Sequence, residues 1–148
     1  MIVPVDVDNA AAWAALCVAM WQEDDSESLL KQWRIGQFPH EFLYVDDENE
    51  QAPPLGFISL SIRTDYVEGT DTRPVAYLEG IYVLPAHRRQ GLARRMIAFA
   101  RTWARQQGCT QLASDCELCN TESQALHRAL GFSQVNIVVC YIAEIADA

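Results

Sequence analysis

Apolar and polar positions change period several times along the chain, and each change marks an element. Leu55 to Arg63 alternates, with Phe57, Ser59 and Ser61 set against Ile58, Leu60 and Ile62, which is the period of a strand. Val75 to Leu84 is a longer, largely apolar strand stopped by Pro85. From Leu92 to Gln107 the period becomes helical, with Ile97, Ala100 and Ala104 on one buried stripe and Gly108 as the C-terminal cap. Upstream, Ile2 to Val7 reads as a short strand that Pro4 places at an edge. A helix capped by Asp8 or Asn9 runs to about Trp21, and a second, carrying Ser26, Leu29, Leu30 and Trp33, ends by Gly36 and Pro39. Glu41 to Asp47 is a strand, and Thr64 to Pro74 is a loop holding Gly69, Thr70 and Asp71. Downstream come a strand at Gln111 to Asp115, a helix at Thr121 to Leu130 closed by Gly131, and a final strand at Val135 to Ile145. The order β-α-α-β-β-β-α-β-α-β predicts an α/β (α+β) fold with a mixed, mainly antiparallel sheet.

At 148 residues, without internal repeats or linkers, the chain is expected to be one domain spanning 1–148. Half of it is hydrophobic, with four Trp and five Tyr, which is enough for a cooperative core and excludes wholesale disorder. The apolar run from Ala10 to Trp21 is shorter than the ~18 residues of a membrane span and follows Asp6 and Asp8, so it predicts neither a span nor a signal peptide. Five scattered Cys suit a reduced, cytoplasmic setting. Twenty acidic residues against 11 basic ones give a net charge of -9, which disfavours nucleic acid and anionic membrane and favours a cationic ligand. The charge is uneven. Gly80 to Ser114 contains no acid and holds six of the basic residues: Arg88, Arg89, Arg94, Arg95, Arg101 and Arg105.

Four of those Arg flank a strand–turn–helix junction, Leu84-Pro85-Ala86-His87-Arg88-Arg89-Gln90-Gly91-Leu92-Ala93. The first turn of a helix carries unbonded N–H groups and a positive dipole end, so cations there are unfavourable by ~0.3–1 kcal/mol each unless an anion answers them. Gly91 permits close approach of a phosphate to the backbone, and Ala93 keeps the next turn narrow. Arg88-x-x-Gly91-x-Ala93 after a strand resembles the pyrophosphate loop of the GNAT superfamily of N-acetyltransferases. Asn120 and the run Leu126-His127-Arg128-Ala129-Leu130-Gly131-Phe132 look like that family's second motif. The resemblance implies acetyl-CoA bound where two central strands splay apart, between helices on both faces of the sheet. Pantetheine would lie along Ile81, Tyr82 and Val83. The amides from Arg89, Gln90, Gly91, Leu92 and Ala93 to Arg94 would hold the diphosphate, with Asn120 touching the pantetheine region. No metal is implied.

Asp65-Tyr66-Val67-x-Gly69, Leu78-Glu79-Gly80-Ile81, Ala113-Ser114-Asp115 and His127-x-Ala129-Leu130-Gly131-Phe132 are similar to the aminoglycoside 6'-N-acetyltransferases, over about Trp21 to Tyr141. That resemblance implies a cationic aminoglycoside acceptor lined by Trp21, Tyr66, Glu79 and Asp115. Asn136 stands where another acid is common. The physics points the same way: a carboxylate in an apolar strand is costly without a partner, so Glu79 is expected to be buried and to need either a ligand ammonium or an ion pair with an Arg such as Arg63. Glu79, directly or through a water, is the candidate base with Asp115 second, and attack on the thioester is expected to be direct. The family's usual acid is a Tyr where this chain has His127, which leaves His127 or Tyr141 as candidates. Asp115 can also be read as a turn cap, and His127 as a packed helix residue. Cys116 and Cys119 lack a second pair that would make a zinc site. The apolar Ile137-Val138-Val139-Cys140 suggests a homodimer through strand pairing. Competing expectations are an acetyltransferase of a polyamine or protein amine, and a non-catalytic acyl-CoA-binding module.

Overall fold

The computed structural model describes residues 1–22 and 24–146. In chain order the elements are β1 (Ile2–Pro4), α1 (Ala10–Met20), α2 (Ser26–Arg34), β2 (His40–Tyr44), β3 (Gly56–Arg63), β4 (Val75–Val83), a 3-10 turn (Pro85–His87), α3 (Leu92–Gln106), β5 (Leu112–Ser114) and α4 (Thr121–Ala129). The sheet order is β1-β2-β3-β4-β5. The first three pairings are antiparallel and β4–β5 is parallel. The chain falls into two units, Met1–Asp115 and the residues from Cys116 onward.

In the first unit the sheet carries helices on both faces, as successive residues of β2 show. Leu43 packs with Trp13, Leu29 and Phe57 beneath α1 and α2. Its neighbour Phe42 points the other way and meets Phe99 of α3, ring centroids 4.8 Å apart. The α3 stripe buries Met96, Ile97, Ala100, Trp103 and Ala104, the spacing of a helix that presents one face to a sheet. The start of α2 is capped by Asp25, which accepts from the Ser28 amide at 2.8 Å. The start of α1 is built differently: Asn9 does not cap it, and its Oδ1 instead accepts from the Asp6 amide at 2.8 Å.

In the second unit, Asn120 caps α4 by accepting from the Ser123 amide at 3.0 Å. The strand expected at Val135 to Ile145 does not form. Those residues carry no regular secondary structure among the described residues, and Val139, Tyr141, Ile142 and Ile145 are 73, 91, 90 and 94% exposed. An apolar stretch becomes a strand when its N–H and C=O groups find a ladder partner, and the described sheet contains no neighbour for this one.

Candidate active site

The site is organised by two irregularities of β4. Its parallel pairing with β5 ends at Leu78↔Ser114, while β4 itself continues to Val83. Beyond Leu78 that edge of β4 meets no strand among the described residues. Strand groups alternate in direction. The Leu84 amide donates to the Leu55 carbonyl at 2.9 Å, toward β3. Val83 therefore faces the open edge, where its carbonyl accepts from Arg88 Nε at 2.8 Å. By the same alternation Ile81 faces the open edge and Tyr82 faces β3. The Tyr82 carbonyl oxygen lies 2.3 Å from where a Cβ on Gly56 would sit. This narrows the expected pantetheine ladder: Ile81 and Val83 present backbone groups, whereas those of Tyr82 are turned to the neighbouring strand.

The second irregularity is a bulge. Ser59 pairs with Gly80 and Leu60 with Leu78, so Glu79 has no residue opposite it. Leu78 and Gly80 are buried but Glu79 is exposed, and the expectation of a buried carboxylate is corrected. The bulge turns the side chain out of the packed strand. Glu79 is also paired within the protein: Oε1 accepts from Ser61 Oγ at 2.6 Å and from Arg63 Nη2 at 2.8 Å.

Arg63 extends this cluster. Its guanidinium carbon lies 3.4 Å from the centroid of the Tyr77 ring, and the Tyr77 hydroxyl donates to Asp115 Oδ2. Glu79, Arg63, Tyr77 and Asp115 thus form one connected acid–base chain. Burial and then the hydrogen bond to Asp115 push the Tyr77 phenol well above its usual range, so it stays protonated and donates. The loop before β4 is pinned beside this cluster by buried Val67, which packs with Val75 and Tyr77. Tyr66, next along, is 63% exposed and donates to Glu68 Oε2 at 3.3 Å. Trp21, at the end of α1, lies against Gly80: a Cβ there would sit 2.5 Å from the indole. Its ring meets Phe57 edge-on at 5.5 Å.

Past the end of β4 the chain turns through Arg89 at φ 62° and Gly91 at φ 82° into α3. A left-handed non-glycine residue costs ~1–2 kcal/mol, so the turn is held by its surroundings. The first turn of α3 has neither a side-chain cap nor an acid. Among the described residues, nothing beyond Gly91 and its immediate chain neighbours lies within 4 Å of the Cβ position at Gly91, which leaves open space beside the turn. That opening, with exposed Arg89 and Gln90 beside it, fits a diphosphate. Of the flanking Arg, Arg88 is engaged with Val83, its guanidinium 5.4 Å from the Tyr82 ring centroid, and Arg95 with the Tyr44 hydroxyl at 2.8 Å.

The remaining expected residues belong to the second unit. His127 Nδ1 lies 2.7 Å from the Ser123 carbonyl oxygen, and its ring lies edge-on to Phe132 at 5.3 Å. Asn136 and Tyr141 are exposed, on the segment without a strand partner. Cys116 and Cys119 are exposed thiols.

Sequence reasoning missed Tyr77, which looked like strand filler, gave Arg63 only as one possible partner, and overlooked Glu41. Glu41 is buried, 4% exposed, and its Oε1 accepts from the Trp13 indole N–H at 3.0 Å. Desolvation pushes its pKa up to about 8, against weaker opposing hydrogen bonds from Ser59 and Trp13.

An unpaired strand edge beside an uncapped helix start, with the Glu79 carboxylate on the same strand, is the arrangement of an acyl-CoA-dependent transferase. Residues 7–132 match the acetyltransferase (GNAT) family, and the chain belongs to that family. It is an acetyl-CoA-dependent N-acetyltransferase. Among its relatives, the aminoglycoside N(6')-acetyltransferase type 1 of Serratia marcescens is 44% identical over 142 residues, covering 95% of this chain and 97% of the relative. The enzyme of the same name from Salmonella typhimurium is 47% identical over 130 residues, 87% of this chain and 88% of the relative. In structure, AAC(6')-Iy in complex with the bisubstrate analogue CoA-S-monomethyl-acetylneamine matches with a TM-score of 0.87 at 34% identity, covering 98% of each chain. AAC(6')-Ih from Acinetobacter baumannii matches at 0.88 and 36%, covering 99% of each.

Proposed function

We propose that this enzyme transfers the acetyl group of acetyl-CoA to the 6'-amine of aminoglycoside antibiotics, and so protects its host from them. The observation that carries this reading is the pair of carboxylates Glu79 and Asp115 tied together beside the open edge of β4, a counter-charge for a ligand with several ammonium groups. The relatives' activity supports the same acceptor. Trp21, Tyr66, Glu79 and Asp115 line the acceptor side. The amides from Arg89 to Arg94 hold the diphosphate, and Ile81 and Val83 align the pantetheine arm. The thioester supplies the activated acyl group. An amide on the open edge polarises its carbonyl.

Glu79 accepts the proton of the acceptor's ammonium, directly or through water, and the amine then attacks without an acyl-enzyme. His127 and Tyr141 are the two candidates for returning a proton to the departing thiolate. Residues 1–148 act as one catalytic domain; the family match, which runs across the division at Asp115, supports this. The enzyme works in the cytoplasm as a homodimer, and the exposed apolar residues of 135–145 are the support for pairing.

The test is thiol release from acetyl-CoA against a panel of amines. Kanamycin-type drugs should turn over and spermidine should not, and a drug with a hydroxyl in place of the 6'-amine should be inert. Turnover of spermidine in preference to every aminoglycoside would replace this reading with a polyamine acetyltransferase. Acetyl-CoA binding without turnover of any amine would replace it with a binding module.

A further inference from the structure

We infer that Arg63 is a specificity-determining residue, an internal cation that holds the acceptor's place on Glu79 and is displaced when the acceptor binds. The inference rests on Glu79 being an acceptor carboxylate, as proposed above, and goes beyond it by assigning a competitor for that group. Three features of the geometry support it. The Arg63 guanidinium donates to the same Glu79 oxygen that Ser61 engages. Its other contact is the face of Tyr77, whose hydroxyl is held by Asp115, so one cation sits between the two carboxylates assigned to the ligand. The pair is open to water, with the Arg63 side chain 43% and the Glu79 side chain 34% exposed.

A buried pair would be a fixed part of the fold, because breaking it strands a charge in the interior. An exposed pair holds weakly, and the stack on Tyr77 adds a comparably small amount. Arg63 is therefore bound firmly enough to neutralise Glu79 in the free enzyme and loosely enough to yield to an incoming ammonium. Ser61, a neutral donor, stays on the carboxylate and keeps it oriented through the exchange. The ammonium exchanges one cation for another at Glu79, so acceptor binding carries the cost of releasing Arg63.

The test is steady-state kinetics of Arg63→Gln, which keeps the reach of the side chain and removes its charge, beside Arg63→Lys, which keeps the charge. R63Q should lower the acceptor KM roughly three- to tenfold, the worth of the lost ion pair and stack, and leave the acetyl-CoA KM unchanged. R63K should stay near the wild type. The acceptor KM should also rise more steeply with salt in R63Q, because Glu79 then meets the drug unneutralised. A merely structural Arg63 would not steepen that response. An acceptor KM unchanged or raised in R63Q, with the acetyl-CoA KM intact, overturns the inference and makes Arg63 a support for Glu79. If R63Q does not fold, R63M read by the same two measurements decides the matter. Wild-type turnover of a kanamycin-type drug is the control. Its absence defeats the proposed function, whereas its presence with an insensitive R63Q defeats this inference alone.

Discussion

Glu41→Gln should stabilise the enzyme, and by an amount that grows with pH. Glu41 is 4% exposed, and burial raises its pKa from 4.5 to about 8. Between those values the unfolded chain has released the proton and the folded chain still holds it. The stability that goes with a neutral Glu41 is thus complete below about pH 4.5 and is lost as pH rises through about 8. Each unit of separation is worth 1.36 kcal/mol, so the loss is on the order of 5 kcal/mol once pH exceeds the folded value. Glutamine is neutral throughout and keeps an oxygen for the Trp13 indole N–H, which donates to Glu41 at 3.0 Å. Urea unfolding of both proteins from pH 5.5 to 8.5 measures the difference directly, since other titrating groups cancel. The variant should lie within ~1–2 kcal/mol of the wild type at the acid end and gain about 1.4 kcal/mol per pH unit thereafter, levelling off above pH 8. A difference that stays constant with pH, or a variant that loses ground as pH rises, would show Glu41 ionised in the folded state and refute the argument.

Other substitutions separate the two halves of the site. Glu79→Gln should reduce turnover by about 10²–10⁴-fold while acetyl-CoA binding, followed by calorimetry, stays intact. Arg89→Ala should raise the acetyl-CoA KM several-fold and leave the acceptor KM unchanged; equal effects on both would count against the diphosphate loop. Gly80→Ala would place a Cβ 2.5 Å from the Trp21 indole. It should cost ~1–3 kcal/mol and raise the acceptor KM, as melting and kinetics can read together. Val139→Asp should shift the protein from dimer to monomer in sedimentation if the exposed segment pairs with a second copy.

Much of the fold is legible in local pattern. The alternation from Phe57 to Ile62 predicts β3, and the stripe through Ile97, Ala100 and Ala104 predicts α3, because the side chains that alternate in sequence are those the core buries. The turn into α3 is equally legible, since the glycine and the helix start that make it lie in consecutive residues from Arg88 to Ala93. The acidic cluster is different. Arg63, Tyr77, Glu79 and Asp115 meet through strand pairing, and no local signal joins Tyr77 to Asp115. Glu41 is the second residue of β2, near a strand end where a carboxylate reads as surface, and only the packing of Trp13 and Ser59 shows it to be buried. Val135 to Ile145 has the composition of a strand, but composition specifies a propensity and not a partner.

One step in the register of β4 accounts for the adjacency of the Glu79 carboxylate and the open backbone edge. Glu79 is the extra residue of the bulge against β3, and it directly follows Leu78, where pairing with β5 stops. A bulge adds twist and bends its strand, so the strand that ejects Glu79 is bent where its neighbour lets go. The residues after the bend, Ile81 and Val83, then present backbone groups to the open edge, and the residue at the bend presents a carboxylate. Neither feature requires a loop, and both are carried by a strand that β3 pairs on either side of the bulge. Rigid support matters here, because proximity assists the reaction in proportion to how closely amine and thioester are held. Substitutions that disturb the bulge should therefore affect both substrates at once, in contrast to changes at Arg89 or Arg63, each of which bears on one.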